Sequence, residues 1–207
     1  AITRQQRPPL LLVRSRYPEA AGAARYVDEQ GNEVTLHVAA RDFSSVIPPD
    51  PISLGLDIGS TSTKCALVTP DGRMLLDVYR RTDGDPIGAV RKLLNAIIEV
   101  ERRYDLPFRI RAAATTGSGR KLTGKVFGAD LVVNEISAHA AGAIHLQPHV
   151  ETIFEIGGQD SKYISVRDGR VVDANMNYVC AAGTGSFVEE CAAKLGYHVE
   201  DVGEAVL

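Results

Sequence analysis

The alternation of apolar and polar positions divides the chain into short segments. Ile52 to Ile58, Lys64 to Val68 and Arg73 to Tyr79 read as three strands, the last two joined by the turn Pro70-Asp71-Gly72. Pro86 to Tyr104 sets Ile87, Val90, Leu94, Ile97 and Ile98 on one face at helical spacing, and Pro86 is acceptable in a first turn. A strand (Arg109 to Ala114), a Gly-rich turn, a short helix, a strand (Leu131 to Val133) and a further helix (Glu135 to Leu146) follow. That order is α/β. Upstream, Leu10 to Val13 reads as a strand. Ala24 to Val38 reads as a hairpin around Asp28-Glu29-Gln30-Gly31-Asn32, because Gly and Asn accept positive φ. Pro48-Pro49-Asp50-Pro51 stiffens the chain and removes backbone donors, so a domain start is expected near Ile52.

The most informative pattern is an internal repeat. Asp57-Ile58-Gly59-Ser60-Thr61-Ser62-Thr63-Lys64 and Glu155-Ile156-Gly157-Gly158-Gln159-Asp160-Ser161-Lys162 share an acid, Ile, Gly, small or polar residues, a hydroxyl residue and Lys, 98 positions apart. Asp71-Gly72-Arg73 recurs 97 positions on as Asp168-Gly169-Arg170. Each copy therefore reads as strand, Gly turn, strand, Asp-Gly turn, strand, and the pair implies two related lobes. The expected division is residues 1–51 as flanking segment and Pro-rich linker, 52–150 as a first lobe, and 151–207 as the start of a second.

A tight turn opening on glycine lets backbone N–H groups approach a ligand with no Cβ in the way, and several such groups make an anion nest. Ser60, Thr61, Ser62 and Thr63 add hydroxyl donors, and Lys64 adds a point charge suited to phosphate. Asp57 cannot touch phosphate directly but can hold Mg2+, usually through water. Two such turns facing each other would grip a polyphosphate from both sides. Neither matches the P-loop or the dinucleotide fingerprint. Taken singly, Asp-Ile-Gly-Ser is as readily a plain strand-turn-strand.

Composition removes several function classes. The net charge of -3 gives no electrostatic reason to expect nucleic acid. The basic cluster Arg4, Arg7, Arg14 and Arg16 reads as a solvated linker. No apolar run approaches the ~18 residues a spanning helix needs, and the N-terminus lacks the apolar centre of a signal peptide. Membrane and export readings are therefore disfavoured, and a cytoplasmic location is expected. Three cysteines make an odd count, so reduced thiols or metal ligands are expected over a disulfide framework. The chain opens on Ala and stops at Val206-Leu207, which reads as a piece of something longer.

The two loops resemble the first and second phosphate loops of the actin, hexokinase and heat-shock chaperone ATPase superfamily. That resemblance implies ribonuclease H-like lobes, one nearly complete and the second truncated. Gly59, Ser60, Thr61, Ser62 and Lys64, with Gly157, Gly158, Gln159, Asp160 and Lys162, would bind the nucleotide phosphates. Asn134-Glu135-Ile136-Ser137-Ala138-His139-Ala140 resembles the connecting helix, which gives Glu135 the role of positioning the attacking water. Its plainer reading is a helix N-terminal acid favoured by the dipole. Asn177-Tyr178-Val179-Cys180-Ala181-Ala182-Gly183-Thr184-Gly185-Ser186-Phe187 is similar to the signature of the BadF/BadG/BcrA/BcrD ATPases, the ATP-driven activators of 2-hydroxyacyl-CoA dehydratases and benzoyl-CoA reductases. Thr115-Thr116-Gly117-Ser118-Gly119-Arg120 also resembles a segment of that family. The likeness runs from about Ile52 to Leu207.

What the resemblance implies is specific. Cys180 would ligate one 4Fe-4S cluster shared across a homodimer, and ATP hydrolysis would drive electrons to a CoA-ester dehydratase or reductase component. Ferredoxin or flavodoxin would be the electron donor. Gly183, Thr184 and Gly185 would permit close backbone approach to cluster or nucleotide. An apolar stripe (Phe187, Val188, Cys191, Ala192, Leu195) places Cys180 just before a helix N-terminus, where the dipole favours a thiolate. Cys191 and Cys65 read as packed. His139 and His145 are six apart, not the i, i+4 spacing of a paired metal site, and read as core or surface residues.

The sequence departs from that pattern in three places. Glu155 stands where the superfamily more often has Asp, and both the adenine-binding Gly-Gly motif and a second cluster cysteine are expected beyond Leu207. The piece itself is therefore expected to be inactive. Residues 1–51 have no counterpart in short activators, and by analogy would suit the second of two tandem modules. The rivals are an amino-sugar type kinase of the same fold, needing an Asp base at a sugar pocket, and a degenerate module that only binds a partner.

Overall fold

A computed structural model describes residues 24–37, 51–105 and 107–205. The expected strand Leu10 to Val13, the basic cluster and Pro48 to Asp50 lie outside the described residues.

Two sheets carry the fold. The larger has seven strands in the order β1-β2-β5-β4-β3-β6-β7. Its members are β1 (Ala24–Val27), β2 (Glu33–Leu36), β3 (Ile52–Ile58), β4 (Ser62–Val68), β5 (Met74–Arg81), β6 (Ile110–Thr116) and β7 (Leu131–Val132). Strands β3, β4 and β5 form an antiparallel meander, and β6 and β7 join in parallel after helices α1 (Pro86–Tyr104) and α2 (Arg120–Phe127). Helix α3 (Glu135–Leu146) leads to the smaller antiparallel sheet of β8 (Thr152–Ile156), β9 (Ser161–Arg167) and β10 (Arg170–Met176). Helix α4 (Gly185–Leu195), a short 3-10 turn (Val199–Asp201) and α5 (Val202–Ala205) follow.

The main core forms where α1 covers one face of the large sheet. Leu54, Leu56, Ile58, Cys65, Leu67, Leu76 and Val78 alternate inward along β3 to β5 and meet Val90, Leu93, Ile97 and Val100. The buried stripe of α1 is rotated from the one expected. Ile87 and Ile98 are exposed, while Leu93 and Val100 take the centre, because Val90, Leu93, Ile97 and Val100 follow the 3.6-residue period more closely. Asp85 caps this helix by accepting from the Gly88 N–H at 2.8 Å.

The sheet also extends past the domain start expected at Ile52. Hairpin β1–β2 lies within residues 1–51, yet β2 pairs antiparallel with β5, matching Val34 to Val78 and Leu36 to Leu76. The reason is burial: Val34 and Leu36 join the main core, and an unpaired β5 would leave a bare edge. Buried Asn32 ties the hairpin turn to its surroundings. Its Nδ2 donates to the Lys92 carbonyl at 3.2 Å, and its Oδ1 accepts from Arg80 at 2.7 Å. The Arg103 guanidinium sits 4.8 Å over the Tyr26 ring.

The second lobe repeats the first meander, β8-β9-β10 matching β3-β4-β5. The two Asp-Gly turns differ in conformation, however. Asp168 and Gly169 both take positive φ, 52° and 70°, a type I′ turn that matches strand twist. Pro70 fixes its own φ, so the first-lobe turn closes from Gly72 N–H to the Thr69 carbonyl at 2.9 Å, with only Gly72 left-handed.

Candidate functional site

Both Gly turns are built the same way. In the first, the Gly59 N–H reaches the Ser62 carbonyl at 3.0 Å; in the second, Gly157 N–H reaches the Asp160 carbonyl at 2.8 Å. A Cβ on Gly59 would stand 2.8 Å from that Ser62 oxygen, so the turn admits no side chain there. The acid and lysine of each motif are cross-strand partners, Asp57 with Lys64 and Glu155 with Lys162. Their side chains meet at 3.4 Å and 2.7 Å respectively.

The loops face each other across one cleft that opens to solvent. Asp57, Gly59, Ser60, Thr61, Ser62, Lys64, Glu135, Gly157, Gly158, Gln159, Asp160 and Lys162, all expected from the sequence, line it together. At the tips the approach is very close. A Cβ built on Gly158 would fall 2.3 Å from Thr61 Oγ1. Gly117 and Ser118 form a further wall. Gly117, at φ +82°, lies so close that a Cβ would be 2.5 Å from Asp57 Oδ1, and Gly119 N–H donates to the Ile58 carbonyl at 2.9 Å.

Helix α3 delivers the last group. Asn134 caps it by accepting from the Ile136 N–H at 2.9 Å, which sets Glu135 in the first turn. Lys162, only 5% exposed, lies between two carboxylates: Glu155 at 2.7 Å and Glu135 at 3.9 Å. A buried cation needs such partners, since losing them costs several kcal/mol. One turn along α3, His139 Nδ1 is 4.0 Å from Glu155. Sequence reasoning missed this clustering, because only the fold brings α3 against β8 and β9.

Other expected residues stand behind the second loop and not on the cleft wall. Thr184, fully buried, donates from Oγ1 to the Gly158 carbonyl at 3.0 Å, and Gly185 N–H donates to the Gly157 carbonyl at 2.9 Å. Gly183 takes φ 67° to turn the chain between them and Cys180. Ala181 N–H bonds the Gln159 carbonyl at 2.8 Å, and Ala181 itself holds φ 64°, a region costing a non-glycine residue roughly 1–2 kcal/mol. Asn177 Nδ2 braces the same segment on the Val179 carbonyl at 2.6 Å.

Cys180 is exposed at the edge of this segment, beside Tyr178, which is 96% exposed. The expected apolar stripe of α4 faces outward: Phe187, Val188 and Leu195 are exposed and only Ala192 is buried. Cys65 is buried in β4, and burial pushes its thiol up to about 12. The thiolate form is thus disfavoured in the folded chain, and that barrier holds until the pH rises toward 12. With Ellman's reagent at neutral pH, Cys180 is expected to react first and Cys65 only on unfolding; a fast-reacting Cys180→Ser protein would contradict this.

Meander, crossover strands and paired glycine loops around one cleft define an α/β protein of the actin-like, ribonuclease H-like fold. Residues 54–206 match the sequence profile of the BadF/BadG/BcrA/BcrD ATPase family. The chain belongs to that family. It is 37% identical over 157 residues to the (R)-2-hydroxyglutaryl-CoA dehydratase activating ATPase of Acidaminococcus fermentans, covering 73% of this chain and 56% of that protein. It is 34% identical over 155 residues to the activator of lactoyl-CoA dehydratase of Anaerotignum propionicum, covering 73% and 57%. Among solved structures, the activator of the 2-hydroxyisocaproyl-CoA dehydratase from Clostridium difficile with bound ADPNP superposes with TM-score 0.64 at 30% identity, covering 74% and 55%. The chain therefore spans just over half the length of these relatives. Among the described residues, no helix is long and apolar enough to cross a membrane.

Proposed function

We propose that this chain carries the phosphate-gripping core of an ATP-dependent activator. In the whole protein it would couple ATP hydrolysis to electron transfer from a 4Fe-4S cluster to a CoA-ester dehydratase or reductase component. The observation that carries this reading is the meeting of two matched loops at Gly158 and Thr61, with Glu135 and Lys162 between the lobes. Gly59 to Ser62 and Gly157 to Asp160 would bind phosphate oxygens through backbone N–H groups and hydroxyls. Lys64 and Lys162 would offset their charge.

The charge balance of the cleft supports a divalent cation. Asp57, Glu135, Glu155 and Asp160 line it against Lys64 and Lys162 alone, so a bare polyphosphate would meet net negative charge. Asp57 fits Mg2+, an oxygen-seeking ion held by few protein carboxylates, water and phosphate. When bound, that ion would neutralise charge developing on the phosphates. Glu135 would orient the attacking water and accept its proton, while the loops hold the phosphates in line.

Cys180 fits a cluster ligand in being exposed, in contrast to buried Cys65. One thiolate from this segment supplies a quarter of the set that a 4Fe-4S cluster takes, so in a homodimer each subunit of the whole protein would add a second cysteine to complete the four. Ferredoxin or flavodoxin would reduce it. Anaerobic reconstitution of the whole protein with iron and sulfide should give a cluster absorbance that Cys180→Ala removes. ADPNP should bind only with Mg2+ present. A Cys180→Ala protein that keeps its cluster, or equal ADPNP affinity without Mg2+, would overturn the corresponding part.

A further inference from the structure

The first phosphate loop is held from behind by one residue outside it. Thr82 Oγ1 donates to the Gly59 carbonyl at 2.8 Å, and Thr82 N–H donates to the Thr61 carbonyl at 2.9 Å. In a trans peptide unit the C=O and the following N–H point opposite ways. Fixing those two carbonyls toward Thr82 therefore turns the N–H groups of Ser60 and Ser62 away from it. We propose that Thr82 is the positioning residue of the first phosphate loop, aiming its N–H groups at the ligand; this rests on the nucleotide reading above.

The second lobe repeats the device by other means. The carbonyls 98 positions on, those of Gly157 and Gln159, are held at 2.9 Å by Gly185 N–H and at 2.8 Å by Ala181 N–H. In both lobes the holding segment follows the third strand of the meander and leads into a helix. The same two carbonyl positions are thus restrained twice, by unrelated residues, which a merely local packing preference would not produce. In the second lobe two different residues supply these N–H groups, with Asn177 Nδ2 also donating to the Gln159 carbonyl at 3.3 Å; in the first, one residue does both, by its hydroxyl and its own N–H.

Thr82 is itself immobilised. It is 4% exposed, and its oxygen lies 2.8 Å from the hydroxyl of fully buried Thr63. Because the Thr82 proton is committed to Gly59, Thr63 is the donor, and the chain Thr63 to Thr82 to Gly59 polarises in one direction. Beyond Thr82, Asp83 (φ 51°) and Gly84 (φ 74°) form a tight turn closed by Asp85 N–H on the Thr82 carbonyl at 3.0 Å. Asp85 then caps α1, so the loop is referenced to the main core.

Thr82→Val keeps the shape and removes the hydroxyl. Backbone 15N order parameters should fall across Ser60 to Ser62 while Gly158 to Asp160 stay unchanged, and ADPNP affinity of the whole protein should weaken roughly tenfold. Thr82→Ser should restore both. Thr63→Val should loosen the same loop to a lesser degree, which keeps the test decisive if Thr82→Val fails to fold. An unchanged first loop in both valine variants, or a Thr82→Ser protein as loose as Thr82→Val, overturns the proposal. Loosening in a protein that does not bind ADPNP at all supports the clamp and overturns the nucleotide reading instead.

Discussion

Gly158→Val is expected to weaken ADPNP binding about ten- to a hundredfold while leaving the first-lobe core intact. The added Cβ alone would sit 2.3 Å from Thr61 Oγ1 and 2.8 Å from Thr61 Cβ. Thr61 is β-branched and short, so its Cβ cannot swing aside as the end of a lysine could. Neither backbone can yield cheaply. The Gly158 carbonyl accepts from Thr184 Oγ1 and Ser186 N–H, both at 3.0 Å, and the Thr61 carbonyl accepts from Thr82 N–H at 2.9 Å. The lobes must separate instead, and overpacking of this kind costs about 1–3 kcal/mol. Adding Thr61→Gly removes every side-chain atom in the way and should recover part of the affinity. Calorimetric titration of single and double variants checks this, and wild-type affinity in Gly158→Val would show that the tips do not meet in solution.

How far the sequence reveals this site depends on the range over which each constraint acts. The glycine turns were legible because a turn's needs are local: Gly59 and Gly157 each face the carbonyl three residues on. The bounds of α1 and α3 were legible from capping and period. The hairpin's place was not, since β2 meets β5 some forty residues away, and no local feature of Glu33–Leu36 names that partner. For the same reason the sequence singled out Lys162 but not its setting between Glu155 and Glu135. Thr82 gave no signal at all, being one threonine beside an Asp-Gly turn. Gly183, Thr184 and Gly185 stand out in the sequence only through a resemblance, yet Thr184 and Gly185 restrain the second loop's carbonyls and Gly183 supplies the left-handed turn before them.

Glu135→Gln should lower kcat for ATP hydrolysis by about 10²- to 10³-fold in the whole protein while ADPNP affinity changes less than threefold. The substitution keeps the size of the side chain and its capacity to accept from Lys162, whose Nζ is 3.9 Å from Oε1. It removes the basic oxygen. Since the Asn134 cap fixes the backbone at this position, the variant should not disturb α3. The plainer reading of Glu135, an acid placed well on a helix dipole, predicts something else: about 0.3–1 kcal/mol of lost stability and an unaltered kcat. Single-turnover hydrolysis alongside chemical denaturation separates the two. A large drop in rate at constant stability assigns proton transfer to Glu135, whereas a rate within threefold of wild type would leave it as a helix-terminal charge and require another base for the attacking water.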